Sequence, residues 1–313
     1  MERRAAPCYP GSMSATDLNH IRPGPAAADY ALLFTLAAIW GGSFTFIKMG
    51  VDTVPAATTT FCRLVVASAV MLAIAAYKGE RWPSGGRLWA IILATSITGN
   101  ALPFTLISWG EERIDSGLAA ILMGVMPLTA MLIAHIMTAD DRLTPGKLAG
   151  VVLGFVGLII LIGPGRLTGL GGDVVRELAV AAAAVSYGLN ANITRSLTGA
   201  PPLTTIAAVM LVSALIMLPI SLAADHPWVL SPSSTSIFAI VMLGIFQTAI
   251  GTVMLFMLVR RQGASFYSQI NFLVPISGVL WGAVVLGERP SLTAFVALVA
   301  ILSGVAVARV ARG

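Results

Sequence analysis

Arg63 has the clearest capacity for chemistry, because it is a charge inside an apolar segment. It follows Pro55 by eight positions, in a run over about 54–77 with no other charged residue. Eight helical residues advance about 12 Å, and an arginine at that depth in a lipid bilayer costs on the order of 2.5–3.5 kcal/mol. Such a residue either attracts a solute carboxylate or holds the fold by bonding helix-end carbonyls or a loop acid.

Two further pairs of candidate residues are each separated by 147 positions. Asn100 pairs with Gln247, and their amides would bind the amino and carboxyl groups of a solute from two sides or hydrogen-bond neighbouring helices. Trp40 pairs with Tyr187, each next to a glycine, and the two rings would either wall a cavity or pack between helices. We include all four, with Arg63, in the predicted substrate-binding set.

A polar patch beside Tyr267 completes the predicted substrate-binding residues. Gln269 and Asn271 follow near the start of another apolar run, and Ser268 shares a helix face with Asn271 at a spacing of three. His135 is the only histidine inside an apolar run, where it would exchange a proton or simply be hydrogen-bonded.

Carboxylates fall at the ends of the apolar runs, as Glu111, Glu112 and Glu177 do, and never in their middle. A proton-driven antiporter for cationic drugs needs a buried carboxylate that exchanges proton for substrate. The pattern therefore favours a neutral or zwitterionic solute, moved without ion coupling or with weak coupling. A drug, sugar or nucleotide-like solute with proton coupling remains the alternative.

Metal and cofactor chemistry has little support in the sequence. The two cysteines, Cys8 and Cys62, are isolated, and the three histidines are far apart. We therefore expect no metal, no cofactor and no enzyme activity, a membrane-embedded enzyme being the less favoured alternative. The net charge of +5 is spread singly through the chain, so no nucleic-acid partner is expected.

The elements that must position these residues are membrane helices. The 313 residues are 57% hydrophobic and only 11% charged, with a mean hydropathy of +0.88, so lipid must be their main solvent. Solid apolar blocks of this length predict helices rather than barrel strands. Ten runs are predicted: about 30–47, 54–77, 88–109, 116–138, 147–163, 176–194, 203–224, 234–258, 264–286 and 290–308.

The 147-residue shift predicts an all-α fold of two inverted five-helix repeats. It superposes prolines and glycines, such as Pro55 on Pro202 and Gly41 on Gly188. Because each repeat has an odd number of spans, the second enters the membrane from the opposite side. With both termini in the cytoplasm, 13 of the 19 Lys and Arg residues fall in inner segments, as the positive-inside rule requires.

These features resemble the drug/metabolite transporter superfamily in its EamA branch. The resemblance rests on Trp40–Phe44 (Trp-Gly-Gly-Ser-Phe), Pro55 with Arg63, Pro127–Ala130 (Pro-Leu-Thr-Ala), and the pairs Asp141–Arg142 and Glu288–Arg289. Two departures are Asp141, where the family usually has Glu, and Met210 at the repeat position of Arg63. The resemblance implies a bacterial inner-membrane exporter of amino acids or related metabolites that works by alternating access.

The resulting domain prediction has four parts. They are a disordered cytoplasmic tail (1–29), a first repeat (30–163), a flexible linker (164–175) and a second repeat (176–310). The expected partners are a small-molecule solute and membrane lipid, and a single chain is sufficient in principle. Gly150 and Gly154 form a small-residue face suited to close helix packing.

Overall fold

Ten helical spans make up the described part of the chain. A computed structural model describes residues 25–137, 143–162, 172–197 and 199–310. The spans are α1 Ala27–Val51, α2 Ala56–Lys78, α3 Gly86–Glu111, α4 Ser116–Met137, α5 Pro145–Ile162, α6 Gly172–Ile193, α7 Pro202–Ala224, α8 Ser234–Gly263, α9 Ile270–Val285 and α10 Leu292–Val310. The all-helical polytopic fold is thus confirmed.

Eight of these helices are long and apolar enough to cross a membrane by length and composition alone. The other two are α6, which carries Asp173, Arg176 and Glu177 in its first turns, and α9, which has only 16 residues. Their positions between long apolar neighbours complete two sets of five.

Three predicted boundaries need correction. Gly263 takes a positive φ of 84° and ends α8, and residues 264–267 form a short helical segment of their own. The ninth span proper begins at Ile270, after a turn at 268–269, rather than at 264. The first helix begins at Ala27, inside the predicted tail, and α6 begins at Gly172, inside the predicted linker. The rest of the tail to residue 24, the linker to residue 171, and the Asp141–Arg142 pair lie outside the described residues.

Contacts at both ends of α2 show that it runs antiparallel to α7. At the start of α2, the backbone N–H of Thr58 donates to Asp225, which follows α7 (2.6 Å). At the other end, the backbone N–H of Thr204 in the first turn of α7 donates to Glu80, which follows α2 (2.8 Å). The second helices of the two repeats are therefore inverted relative to each other.

Gly41 and Gly188 make the same contacts in the two repeats. A Cβ added at Gly41 would lie 2.5 Å from Ser277 Oγ and 2.8 Å from the amide nitrogen of Gly278. At Gly188 it would lie 2.5 Å from Thr129 Oγ1 and 2.8 Å from the amide nitrogen of Ala130. Each glycine thus lets the first helix of one repeat approach the fourth helix of the other, as a pseudo-twofold axis requires.

The close packing predicted for α5 is found against α10. A Cβ added at Gly150 would lie 2.5 Å from the carbonyl oxygen of Gly304 and 2.5 Å from the amide nitrogen of Ala308. One added at Gly304 would meet Gly150 and Gly154 in turn. Backbones this close allow dispersion contacts between helices without help from the hydrophobic effect.

Both third helices contain a π-helical segment at corresponding positions. In α3 it spans Ile97–Ala101, two residues before Pro103, and in α8 it spans Leu243–Ile250. Such segments widen a helix and often mark functional sites. They carry Asn100 and Gln247, so the predicted amide pair lies on two equivalent irregular stretches of backbone.

Candidate functional site

Arg63 lies on α2 about 10 Å from the first residue of that helix, and only 5% of it is exposed. Its Nε donates to Thr248 Oγ1 in the π-helical segment of α8 (2.7 Å). The guanidinium stacks on the ring of Phe104 in α3, with Cζ 3.7 Å from the ring centroid. Its partners are thus a hydroxyl and an aromatic face, not the helix-end carbonyls or loop acid that a purely structural role predicted.

The arginine keeps hydrogen-bonding capacity for a solute. Among the described residues, Nε to Thr248 is its only hydrogen bond, which leaves both terminal nitrogens of the guanidinium. A planar guanidinium held by stacking and one bond is well suited to bidentate binding of a carboxylate.

Tyr187 belongs to the same group. Its ring on α6 lies 6.4 Å from Phe104, centroid to centroid. Arg63, Phe104 and Tyr187 therefore form a continuous cationic and aromatic surface with contributions from both repeats. Phe104 and Thr248 were missed from the sequence, because an apolar run gives no signal of which face a phenylalanine or threonine presents.

A second group forms around Trp40. Its indole Nε1 donates to the carbonyl oxygen of Gln247 (3.0 Å), and its ring meets Tyr267 edge-on at 6.4 Å. The Gln247 side chain is buried, and its Oε1 has no partner among the described residues. Since Gln247 adjoins Thr248, the α8 segment joins this group to Arg63.

Asn100 is tied to the neighbouring repeat rather than to either group. Its Nδ2 donates to Ser213 Oγ in α7 at 3.1 Å. This is the helix-to-helix bond that formed one of its two predicted roles.

The structure does not bring Gln269 and Asn271 into these groups. Gln269 lines a groove of about 330 Å³ together with Tyr30, Phe34 and Arg309, on α1 and α10. Asn271 is half-buried in the first turn of α9, where its backbone N–H bonds Ser268.

Glu111 is buried, which its position in the sequence did not predict. Its carboxylate ends α3 and is fully buried, and neither oxygen has a hydrogen-bond partner among the described residues. It lies within electrostatic range of Arg63, Lys48 and Glu288. Its place at the end of an apolar run suggested a group facing water, and burial at this helix end has no signature in composition.

The two repeats are linked at the distal end, defined as the end where α1 and α3 finish. Arg176 at the start of α6 pairs with Glu112 (2.6 Å), donates to the carbonyl of Trp109 and stacks on its ring. Glu288, just before α10, accepts from the backbone N–H groups of Ser116 and Gly117 at the start of α4. These contacts hold the first repeat against the second.

The remaining titratable candidate has a local role. His135 Nδ1 accepts the backbone N–H of Leu143 at 3.2 Å, the simpler of its two predicted roles. Across the described ranges, no three His, Cys, Asp or Glu side chains are grouped to hold a metal ion.

The fold defines a ten-span membrane protein built from two related five-helix units. The EamA-like transporter family matches residues 29–163 and 176–310, once in each unit. The chain belongs to the EamA-like transporter family and is a membrane transporter of that type.

Relatives with similar sequences carry transporter names. The chain is 28% identical to a protein of Streptantibioticus cattleyicolor named "Probable terminal-alkyne amino-acid exporter", over 84% of this chain and 86% of the relative. It is 24% identical to Protein PagO of Salmonella typhimurium (90% and 93% covered) and 22% identical to "Uncharacterized inner membrane transporter YedA" of Escherichia coli K12 (88% and 89%).

The fold also has a counterpart of known structure. A solved crystal structure, 20% identical in sequence, matches with a TM-score of 0.62 and covers 91% of this chain and 98% of its own. At that identity the likeness concerns the fold alone.

Proposed function

We propose that this protein exports amino acids or related small metabolites across the inner membrane of a bacterium by alternating access. The family supports a transporter, and a relative named as an amino-acid exporter supports the solute class. Related proteins named as inner-membrane transporters support the membrane. The excess of basic residues in inner segments supports cytoplasmic termini.

The observation that carries the proposal is the setting of Arg63. A buried guanidinium whose terminal nitrogens have no hydrogen bond to any described residue lies where α2 of the first repeat meets α8 of the second. Inverted-repeat transporters bind their solutes at such a junction. When the passage opens, the carboxylate of an amino acid would bind the two terminal nitrogens of Arg63 in place of water.

Of the other proposed binding residues, some line the site around Arg63 and others hold the lining residues in place. Tyr187 and Trp40 wall the site from the first helix of each repeat, and Gln247 supplies an unpaired buried amide oxygen. Asn100 and Tyr267 support it through their contacts with Ser213 and Trp40. Gln269 would act at the groove that it lines with Tyr30 and Arg309, and Asn271 near the start of α9, rather than at the arginine.

The prolines and glycines within the spans support movement of one repeat against the other. Pro219 lies inside α7 and Pro275 inside α9, while Pro103 follows the π-helical segment of α3. Proline removes a helical hydrogen bond and weakens the helix locally. Such points are the places where rocking would be absorbed.

The test is counterflow of radiolabelled solutes in liposomes reconstituted with purified protein. The panel begins with neutral L-amino acids and adds a sugar, a nucleotide and a cationic drug. We expect saturable exchange of amino acids, reduced by about 100-fold in Arg63→Ala, since bidentate charged hydrogen bonds are lost. Arg63→Lys should restore only part of the rate.

Normal amino-acid exchange by a correctly inserted Arg63→Ala protein would refute the binding role of the arginine. Exchange of only the sugar, the nucleotide or the drug would show that the transported solute belongs to that class and not to the amino acids. Repeating the assay with and without a pH gradient tests the expectation of uncoupled or weakly coupled transport, which strong acceleration by protons would overturn.

A further inference from the structure

Glu111 combines features that the fold does not require. Its side chain is 0% exposed, yet both carboxylate oxygens lack a hydrogen-bond partner among the described residues. An unpaired buried carboxylate is costly to a folded protein. Its counterpart in the second repeat, 147 positions later, is Leu258, which is also fully buried. The fold therefore imposes burial at this position, whereas the charge is specific to the first repeat.

The other charged groups near Glu111 are already engaged. Lys48 Nζ donates to the backbone carbonyls of Glu111 and Ile114 at 2.7 and 2.9 Å. Glu288 accepts two N–H groups at the start of α4. Glu112, the adjacent acid, is paired with Arg176. Among these acids, Glu111 is the one whose charge-bearing atoms remain available.

Arg63 is the complementary group: it stacks on Phe104, which belongs to the helix that ends at Glu111, and it lies within electrostatic range of that carboxylate. Its terminal nitrogens are available as donors, and the oxygens of Glu111 are available as acceptors. One open cationic site and one open anionic site, both shielded from water, match a solute that carries both charges. An α-amino acid has that pattern, with a carboxylate and an ammonium on one carbon.

We propose that Glu111 binds the ammonium group of a zwitterionic solute whose carboxylate is bound by Arg63. The inference rests on the proposed function and narrows its solute class to compounds that carry both groups. Opening of the distal end would give the ammonium access to Glu111. In the closed protein, Lys48, Glu288 and Arg63 all lie within electrostatic range of this carboxylate.

The experiment compares each amino acid with its 2-hydroxy acid, in which a hydroxyl replaces the ammonium. L-Alanine, L-leucine and L-phenylalanine are paired with lactate, 2-hydroxyisocaproate and phenyllactate. Counterflow is measured in liposomes containing wild type, Glu111→Gln, Glu111→Asp or Glu112→Gln. Glu112→Gln is the matched control, since it removes a neighbouring carboxylate that has its own partner.

We expect Glu111→Gln to lower the ratio of amino-acid to hydroxy-acid exchange by about tenfold or more, because a charged hydrogen bond is lost. Glu112→Gln should keep the wild-type ratio, and Glu111→Asp should fall between wild type and Glu111→Gln. Purified Glu111→Gln should melt no lower than wild type, which a carboxylate needed for folding would not allow.

The failures can be told apart. A wild-type protein that moves none of the three amino acids refutes the proposed function itself. A wild type that moves them, with an equal loss for both members of each pair in Glu111→Gln, assigns Glu111 a structural role and refutes only this inference. A Glu111→Gln protein that fails to insert, or that melts well below wild type, likewise assigns the carboxylate a structural role and refutes only this inference.

Discussion

The two repeats share a backbone but not a chemistry. Gly41 and Gly188 make matching contacts, and both third helices carry a π-helical segment. Three paired positions nevertheless differ in kind, and each time the first repeat has the charged or aromatic group of the proposed site. The pairs are Arg63 with Met210, Phe104 with Gly251, and Glu111 with Leu258.

This difference distinguishes residues that are needed for packing from residues that are proposed to bind a solute. A position occupied by a small or apolar residue in one repeat can be filled without a charge, so the charge in the other repeat serves another purpose. Where both repeats keep the same residue, as at Gly41 and Gly188, packing is the constraint. Because of the duplication, the equivalent residue in the other repeat serves as an internal control. Each of the following predictions compares two such equivalent positions.

The largest effect is expected when the arginine is copied into the second repeat. Met210 is buried among Ala67, Met71, Ala207 and Ala249. The second-repeat residue equivalent to Phe104 is Gly251, so an arginine at position 210 has no equivalent ring to stack on. Met210→Arg therefore buries a charge without a partner and should destabilise the protein by about 3–5 kcal/mol. Thermal melting of detergent-purified protein checks this, with Met210→Leu as the control that should cost under about 1.5 kcal/mol.

A Met210→Arg protein as stable as wild type would show that the second repeat also offers a polar site at this depth. The passage would then be symmetric in chemistry as well as in backbone, and the preference for the first repeat would be lost.

Packing at the repeat axis should respond equally in both halves. Gly41→Ala and Gly188→Ala each place a methyl group within 2.8 Å of a backbone nitrogen, which cannot move without shifting a helix. We expect each to cost about 1–3 kcal/mol, by similar amounts. Gly86→Ala, at an open position in α3, is the control and should be neutral. Clearly unequal losses in the melting temperature would contradict the pseudo-twofold contact.

The sequence identified the parts of the candidate site that depend on local pattern. Arg63 stood out because a charge in an apolar run is rare, and the repeat offset located Trp40, Tyr187 and the amide pair without any structure. Its partners could not be predicted, since Phe104 and Thr248 come from other helices, and Thr248 is 185 residues away. Contacts over such separations depend on packing, which hydropathy does not encode.

Errors at helix ends have an equally physical origin. The third run was expected to stop near residue 109, because charges follow, whereas the helix continues to Glu111 and buries it. The ninth run was expected from residue 264, whereas the helical segment after Gly263 ends at Tyr267 and α9 starts at Ile270. Charge and hydropathy describe solvent preference, but helix ends are also set by backbone angles and by neighbouring elements.

The paired aromatics should differ by about one hydrogen bond. Trp40 donates to the backbone carbonyl of Gln247, whereas the Tyr187 hydroxyl has no hydrogen bond among the described residues. Trp40→Phe should cost about 1 kcal/mol beyond its change in packing, and Tyr187→Phe should be close to neutral in stability. Melting curves measure both. A large loss in Tyr187→Phe would indicate a partner for that hydroxyl and would weaken its assignment to the solute.

The smallest change in stability, and the sharpest contrast with transport, is expected for the amide pair. Asn100 donates to Ser213, so Asn100→Leu should cost about 1 kcal/mol, whereas the buried Oε1 of Gln247 is unsatisfied and Gln247→Leu should be neutral or slightly stabilising. If Gln247 contacts the solute, Gln247→Leu should still slow amino-acid counterflow by about tenfold. A Gln247→Leu protein with wild-type counterflow would leave the amide without a binding role.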